Sequence, residues 1–235
     1  MLTDTPSPRE RYRQDTLQRL LALAPDSVLD VGCGDGAFLA ELAARLPGVA
    51  GIDSDAEQVA AAQARGLDAR IASAARLPFA DGAFDWVLLQ NTAHHLAELE
   101  AAMRECWRVA RAGVLVQDPW YDESFVSQRI ALALDRWYKQ IDRLEGMVHE
   151  DCLDAATLCG ALPAGLAEGV EIEVRHYLVL QAVPFAEVVR EVDRRLRSGH
   201  VPPSLETEAR AILEDAERHG VSEPGMLQVC LRRRG

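Results

Sequence analysis

Apolar residues follow two alternating rhythms along the first half of this chain. Short apolar runs of strand length fall at Ser27–Val31, Val49–Asp53, Asp68–Ala72, Phe84–Leu89 and Gly113–Gln117. Between and before them, apolar positions recur at helical spacing over Arg9–Leu23, Ala37–Arg45, Ala56–Arg65 and Leu96–Ala110. Pro25, Pro47, Gly48 and Gly66 punctuate the joins. Five strands alternating with helices over about 110 residues predict βαβ units and a parallel sheet with helices on both faces. In such a sheet a ligand sits beyond the carboxyl ends of the strands, so the chemistry is expected just after Val31, Ile52, Ala72, Leu89 and Gln117.

The last third reads differently. Helical patterns are expected over Trp120–Leu144, Glu150–Cys159, Phe185–Arg197 and Ser204–Arg218, with strands over Glu171–Leu180 and Met226–Arg232. The two late strands predict an antiparallel C-terminal edge to the sheet. The expected fold is therefore α/β: a doubly wound, Rossmann-like sheet, mostly parallel, with helical lid insertions. One domain of 235 residues is expected, with residues 27–118 as its cofactor-binding core and residues 1–25 and 119–218 as substrate or lid elements.

The candidate chemistry starts at VLDVGCGDGAFLAEL, residues 28–42. Gly32-Cys33-Gly34-Asp35-Gly36-Ala37 satisfies the spacing of a dinucleotide loop, and the same loop suits an adenosyl ligand. Two acids bear on the choice. Asp30 ends strand one directly before the glycines, where a carboxylate repels a pyrophosphate and attracts an ammonium. Asp53 ends strand two, where it can accept from both hydroxyls of a ribose; both ligand types carry that diol.

The segments VLDVGCGDG, GIDSD, ARLPFADGAFDWVLLQNTAHHL and RVARAGVLVQD together resemble the class I S-adenosylmethionine-dependent methyltransferases. The likeness covers roughly residues 27–118. Within that class the chain is similar to the small-molecule group typified by the ubiquinone/menaquinone-biosynthesis enzymes. The resemblance implies S-adenosyl-L-methionine as cofactor. It implies that Gly32, Cys33 and Gly34 pack against the methionine part, that Asp30 helps hold the ammonium, and that Asp53 takes the ribose with Ser54 beside the adenine. Family members usually carry an acid after strand three; Ser73 stands there, followed by Ala74. Gln90 is implied at the methionine end, with His95 next to it.

The implied reaction is methyl transfer to the O, N or C atom of a small molecule. A base is needed only when the acceptor must lose a proton. His94, His95 and Asp118 are the candidates at the carboxyl end of the sheet, and His149 is a further one. Trp120, Tyr121, Trp137 and Tyr138 make up half of the chain's tryptophans and tyrosines, and they suggest a lid over an apolar or aromatic substrate. Two alternatives stand beside this reading: a cofactor-binding module without transfer, and an NAD-dependent oxidoreductase.

Composition narrows the partners. The formal net charge of −12 disfavours nucleic acid, and the one basic run, Arg232–Arg234, reads as a solvated tail. Asp118-Pro119-Trp120 resembles the D/N-P-P-Y/F/W motif of nucleic-acid amino-methylating enzymes, but it follows strand five rather than strand four. The five cysteines show no Cys-x-x-Cys spacing, so neither a metal site nor a disulfide framework is expected. The opening MLTDTPSPRERYRQ has no apolar stretch, and no segment has the length of a membrane span. A cytoplasmic monomer or homodimer is expected.

Overall fold

A computed structural model describes residues 8–162, 169–198 and 201–234. The chain forms two compact units. The first comprises the described residues of Met1–Asp118, Leu153–Arg175 and Leu227–Gly235; the second comprises those of Pro119–Cys152 and His176–Met226. Leu153–Arg175, which the sequence pattern groups with the later elements, thus belongs to the first unit.

The elements of the first half are α1 (Pro8–Ala22), β1 (Ser27–Val31), α2 (Ala37–Ala43), β2 (Gly48–Asp53), α3 (Ala56–Ala64), β3 (Ala69–Ile71), β4 (Phe84–Gln90), α4 (Leu99–Val109) and β5 (Ala110–Trp120). Later come α5 (Val126–Leu144), α6 (Ala155–Gly160), β6 (Val170–Tyr177), β7 (Ala182–Val183), α7 (Phe185–Ser198), α8 (Pro203–His219), β8 (Val221–Ser222) and β9 (Gly225–Arg233). One seven-stranded sheet runs in the order β3-β2-β1-β4-β5-β9-β6. The β1–β2, β1–β4, β2–β3 and β4–β5 pairs are parallel. It is the mostly parallel, Rossmann-like sheet with an antiparallel strand that the pattern predicts. The late strands extend the β5 side, with β6 outermost and the C-terminal β9 lying between β5 and β6.

Strands β1 and β4 are central, so both their faces are buried and their sequences are near-continuous apolar runs. On one face Val28, Trp86, Leu88 and Leu115 pack with Leu17 and Leu20 of α1 and Phe38 and Leu42 of α2. On the same face, over β2 and β3, Cys33 and Ala69 pack with Val59 and Ala62 of α3. Helix α3 starts at Asp55, whose side chain accepts from the N–H groups of Glu57 and Gln58.

Three expected helices, α4, α5 and α6, begin later than their apolar pattern suggests, α6 at Ala155 rather than Glu150. Strand β5 continues through Asp118-Pro119-Trp120, and α5 begins only at Val126. A residue before proline is driven to extended backbone, which keeps Asp118 in the strand. Ahead of α4, residues Ala93–His95 form a separate 3₁₀ turn.

The second unit packs α5, α7 and α8 around Trp137, Val192, Leu205 and Ala209. Trp137 is fully buried and its Nε1–H donates to the Leu205 carbonyl at 2.8 Å. Among the described residues no helix is long and apolar enough to cross a membrane.

The turn from β1 into α2 depends on Gly36, which sits at φ +79°. A Cβ there would stand 2.5 Å from Leu67 Cδ1 and 2.9 Å from Ala62 Cβ. Backbone strain and overpacking then add, so Gly36→Ala is expected to lower stability by about 2–4 kcal/mol in urea unfolding. An unchanged midpoint would contradict this packing.

Candidate active site

The glycine loop is an extension of the β1–β2 pairing. The N–H groups of Gly32 and Cys33 both donate to the Ile52 carbonyl, at 2.8 and 3.0 Å. Gly32 lies at φ +76°, and a Cβ there would meet Thr92 Cγ2 at 2.4 Å. Thr92 is therefore the wall against which the loop is seated, and only glycine can approach it so closely. At Gly34 a Cβ would find nothing nearer than Gln58 Oε1 at 3.7 Å, so the backbone there borders open space.

Asp53 locks this loop to the end of β2. Its Oδ2 accepts from Gly34 N–H and its Oδ1 from Asp55 N–H, both at 2.9 Å. Each oxygen keeps a second lone pair, so the half-buried carboxylate can still accept from two vicinal hydroxyls. Ser54 beside it is exposed. Cys33 has a different role from its loop neighbours. Its side chain packs with Leu39 and Val59, and burial pushes the thiol up to about 12. It offers a ligand its backbone only.

Asp30 is buried, with 2% of its surface exposed. Burial, and then repulsion from Asp53, push its carboxyl up from 3.8 to about 7. A cation arriving beside it would recover the ionised form.

Strand β4 delivers the opposite wall. Gln90 is half-buried at its end, and Asn91 follows at φ +53°, a left-handed conformation rare outside glycine. That turn brings Thr92 back onto Gly32. Thr92 Oγ1 donates to the Gln90 carbonyl at 3.1 Å. After β3, Ser73 is exposed and its Oγ accepts from Ala75 N–H at 3.2 Å, while Ala74 is buried.

The Ala93–His95 turn is fastened to the end of β5. Asp118 is fully buried; its Oδ2 accepts from His94 N–H at 3.1 Å, and its Oδ1 lies 3.2 Å from His94 Nδ1. His95 is exposed, with its ring centroid 4.2 Å from that of His94. The three candidate bases thus come together, with His94 and Asp118 inside and His95 at the surface. No sequence pattern singles out Thr92, because its importance lies in a contact sixty residues away.

In the second unit the aromatic residues divide. Trp137 belongs to the core, and the Trp120 ring lies 4.6 Å from that of His176. His149 Nδ1 is 2.7 Å from Asp142 Oδ2. Tyr121 and Tyr138 line a cavity of about 530 Å³ together with Leu134, Val188, Val221 and Asp135. Burial, helped by Asp135, holds the Tyr121 hydroxyl well above its ordinary range, so it stays a neutral donor. Asp135 is paired with Lys139 Nζ at 2.9 Å.

Comparison with known proteins gives this geometry its context. Residues 29–116 match the family described as a methyltransferase domain. Over 94 residues the chain is 40% identical to a demethylmenaquinone methyltransferase of Roseiflexus sp. (strain RS-1), a stretch that is 37% of this chain and 40% of that relative. Over 101 residues it is 37% identical to an ajmaline N-methyltransferase of Rauvolfia serpentina, covering 39% of this chain and 35% of the relative. The chain thus spans less than half the length of these two curated relatives. The crystal structure of the YcgJ protein from Bacillus subtilis shares the fold, with a TM-score of 0.63 at 20% identity over 94% of this chain and 99% of that one.

Asp30 gives a pH signature. Its folded value of about 7 exceeds the unfolded 3.8, so between those values the folded chain holds a proton that the unfolded chain has lost. Stability therefore falls as pH rises through that window and levels off above it. Asp30→Asn should be more stable than the parent chain near pH 8 and lose that advantage towards pH 4, as read from urea midpoints. Parallel profiles for the two proteins would show that Asp30 titrates normally.

Proposed function

We propose that the whole chain transfers a methyl group from S-adenosylmethionine to a small-molecule acceptor, a reading supported by the match of residues 29–116 to a methyltransferase domain. The observation that carries this reading is the Asp53 carboxylate. It is fixed by Gly34 and Asp55 N–H groups at the mouth of a loop closed against Thr92, with its remaining lone pairs free for a ribose diol. The buried, easily protonated Asp30 one strand over suits an ammonium and not a pyrophosphate.

The residues divide the work as follows. Asp53 accepts from the ribose, and Ser54, Ser73 and Ala74 border the adenine. Gly32, Cys33 and Gly34 present backbone to the methionine part, and Asp30 and Gln90 face its charged end. When bound, the cofactor supplies a sulfonium-activated methyl group. The protein's own contribution is to orient the acceptor in line with it. Where the acceptor loses a proton, exposed His95 receives it. His94 and Asp118 hold His95 in place through the buried hydrogen bond to the His94 backbone.

The acceptor class is read from the second unit. Its cavity has the size of a small organic ligand and combines Leu134, Val188 and Val221 with the tyrosines Tyr121 and Tyr138. Asp135, Glu187, Arg190, Glu191 and Arg194 also line it, so the lining suits an apolar or aromatic body that carries polar groups. The names of the relatives point the same way, since demethylmenaquinone and ajmaline are small molecules.

In calorimetry S-adenosylhomocysteine should bind and NADH should not. Asp53→Ala should weaken the former by about 1–3 kcal/mol, the cost of leaving buried hydroxyls unpaired. Preference for NADH, or an Asp53→Ala variant with full affinity, contradicts the cofactor reading. For an O–H or N–H acceptor, His95→Ala should lower kcat by about 10²–10⁴-fold and leave S-adenosylhomocysteine affinity intact. An unaltered kcat removes His95 from the reaction.

A further inference from the structure

A row of side-chain amides crosses three neighbouring strands of the first unit. Gln90 on β4 and Gln117 on β5 are register partners, so their side chains project from the same face of the sheet. Asp30 is the register partner of Leu88, two residues before Gln90, and shares that face. Strand β9 lies beside β5, and Gln228 on it donates from Nε2 to Gln117 Oε1 and to Thr16 Oγ1 of α1, each at 3.4 Å. Arg19, on the same helix as Thr16, donates to Gln228 Oε1 and is itself held by Glu173. Thr16, Gln117 and Gln228 are almost completely buried.

The row has a direction. An amide group can ordinarily be turned end for end without changing its shape. Here the turn is forbidden, because a guanidinium only donates. Arg19 requires the oxygen of Gln228 to face it, which turns the Gln228 nitrogen towards Gln117. The oxygen of Gln117 must then face Gln228, and its nitrogen is left at the open end. That buried Nε2 has no hydrogen-bond partner among the described residues, and neither has Gln90 Oε1 on the adjacent strand. Native proteins rarely leave such atoms unmatched. One end of the row therefore presents a buried donor and a buried acceptor, one on each of two register-paired residues, on the face that carries Asp30.

We propose that Gln117 and Gln90 hold the α-amino-acid end of the adenosyl cofactor, Gln117 Nε2–H donating to its carboxylate and Gln90 Oε1 accepting from its ammonium alongside Asp30. The assignment rests on the cofactor reading above and adds Gln117, with Arg19 and Gln228 as its positioning residues. A zwitterion carries one acceptor group and one donor group on a single carbon, which is the complement of what the two glutamines leave open. Glu173 and Arg19 matter because they set which end of each amide points inward.

The test compares two ligands by calorimetry: S-adenosylhomocysteine, which has the amino-acid end, and 5′-methylthioadenosine, which keeps the adenosine and thioether and lacks it. Gln117→Glu replaces the donor with an acceptor of nearly the same shape. It should raise the Kd for S-adenosylhomocysteine by ~10-fold or more and leave that for 5′-methylthioadenosine within about twofold. Arg19→Met releases the direction of the row without touching the ligand, and should give a smaller loss for S-adenosylhomocysteine alone; Arg19→Lys, which keeps the donor, should restore it. Thermal unfolding of each variant reports whether it folds. Unchanged S-adenosylhomocysteine affinity in the folded variants, or equal losses for both ligands, overturns the assignment. Binding of neither ligand by the parent chain overturns the cofactor reading and this assignment with it.

Discussion

Two hydrogen bonds to one carboxylate organise the carboxyl end of the sheet. Asp53 accepts from Gly34 and Asp55, tying the loop after β1 to the turn after β2. With Asp53 in place, the loop backbone runs through left-handed Gly32 and Gly36, and Thr92 closes against it from β4. Three strand ends are thereby held at fixed separations. The cradle between them is made largely of backbone, which is what an adenosyl ligand needs for close approach.

The same arrangement leaves charge under tension. Asp53 ends β2 and Asp30 is the penultimate residue of the adjacent β1, and Asp30 is buried with too little compensation to stay ionised below about pH 7. A carboxylate in that position weakens the empty fold, and under the proposed function a bound cation offsets that cost. The amide row from Arg19 through Gln228 to Gln117 is a second case: polar groups are buried within the sheet, and the unmatched atoms belong to Gln117 on β5 and its register partner Gln90 at the end of β4. Cost to the folded state and fitness for a ligand coincide at both places.

Much of this is legible in the amino-acid order because the determinants are local. The five apolar runs, the glycine spacing, and the acids Asp30 and Asp53 each sit within a few residues of what they organise. Asp55 caps α3 in the same local way. The features that escape such reading are contacts between distant segments. Thr92 matters through Gly32, and Gln117 through Gln228 and Arg19, none of which any spacing rule connects. Trp137 shows the converse. Its place among four aromatic residues suggests a binding role, yet the α5–α8 packing takes it into the core, while Tyr121 and Tyr138 remain at a cavity. Helix α5 starts six residues later than its pattern suggests because Pro119 keeps β5 extended.

The central claim is that a buried Asp30 receives the ammonium of an adenosyl cofactor. Titration of S-adenosylhomocysteine at pH 7, in buffers of different ionisation enthalpy, tests it most directly. Burial raises the Asp30 carboxyl to about 7 in the free chain, so part of the molecules carry the proton at that pH, and an ammonium drives it off. Binding should release a measurable fraction of a proton, and Asp30→Asn should release none. Binding heats independent of the buffer, or no binding at all, would contradict the account.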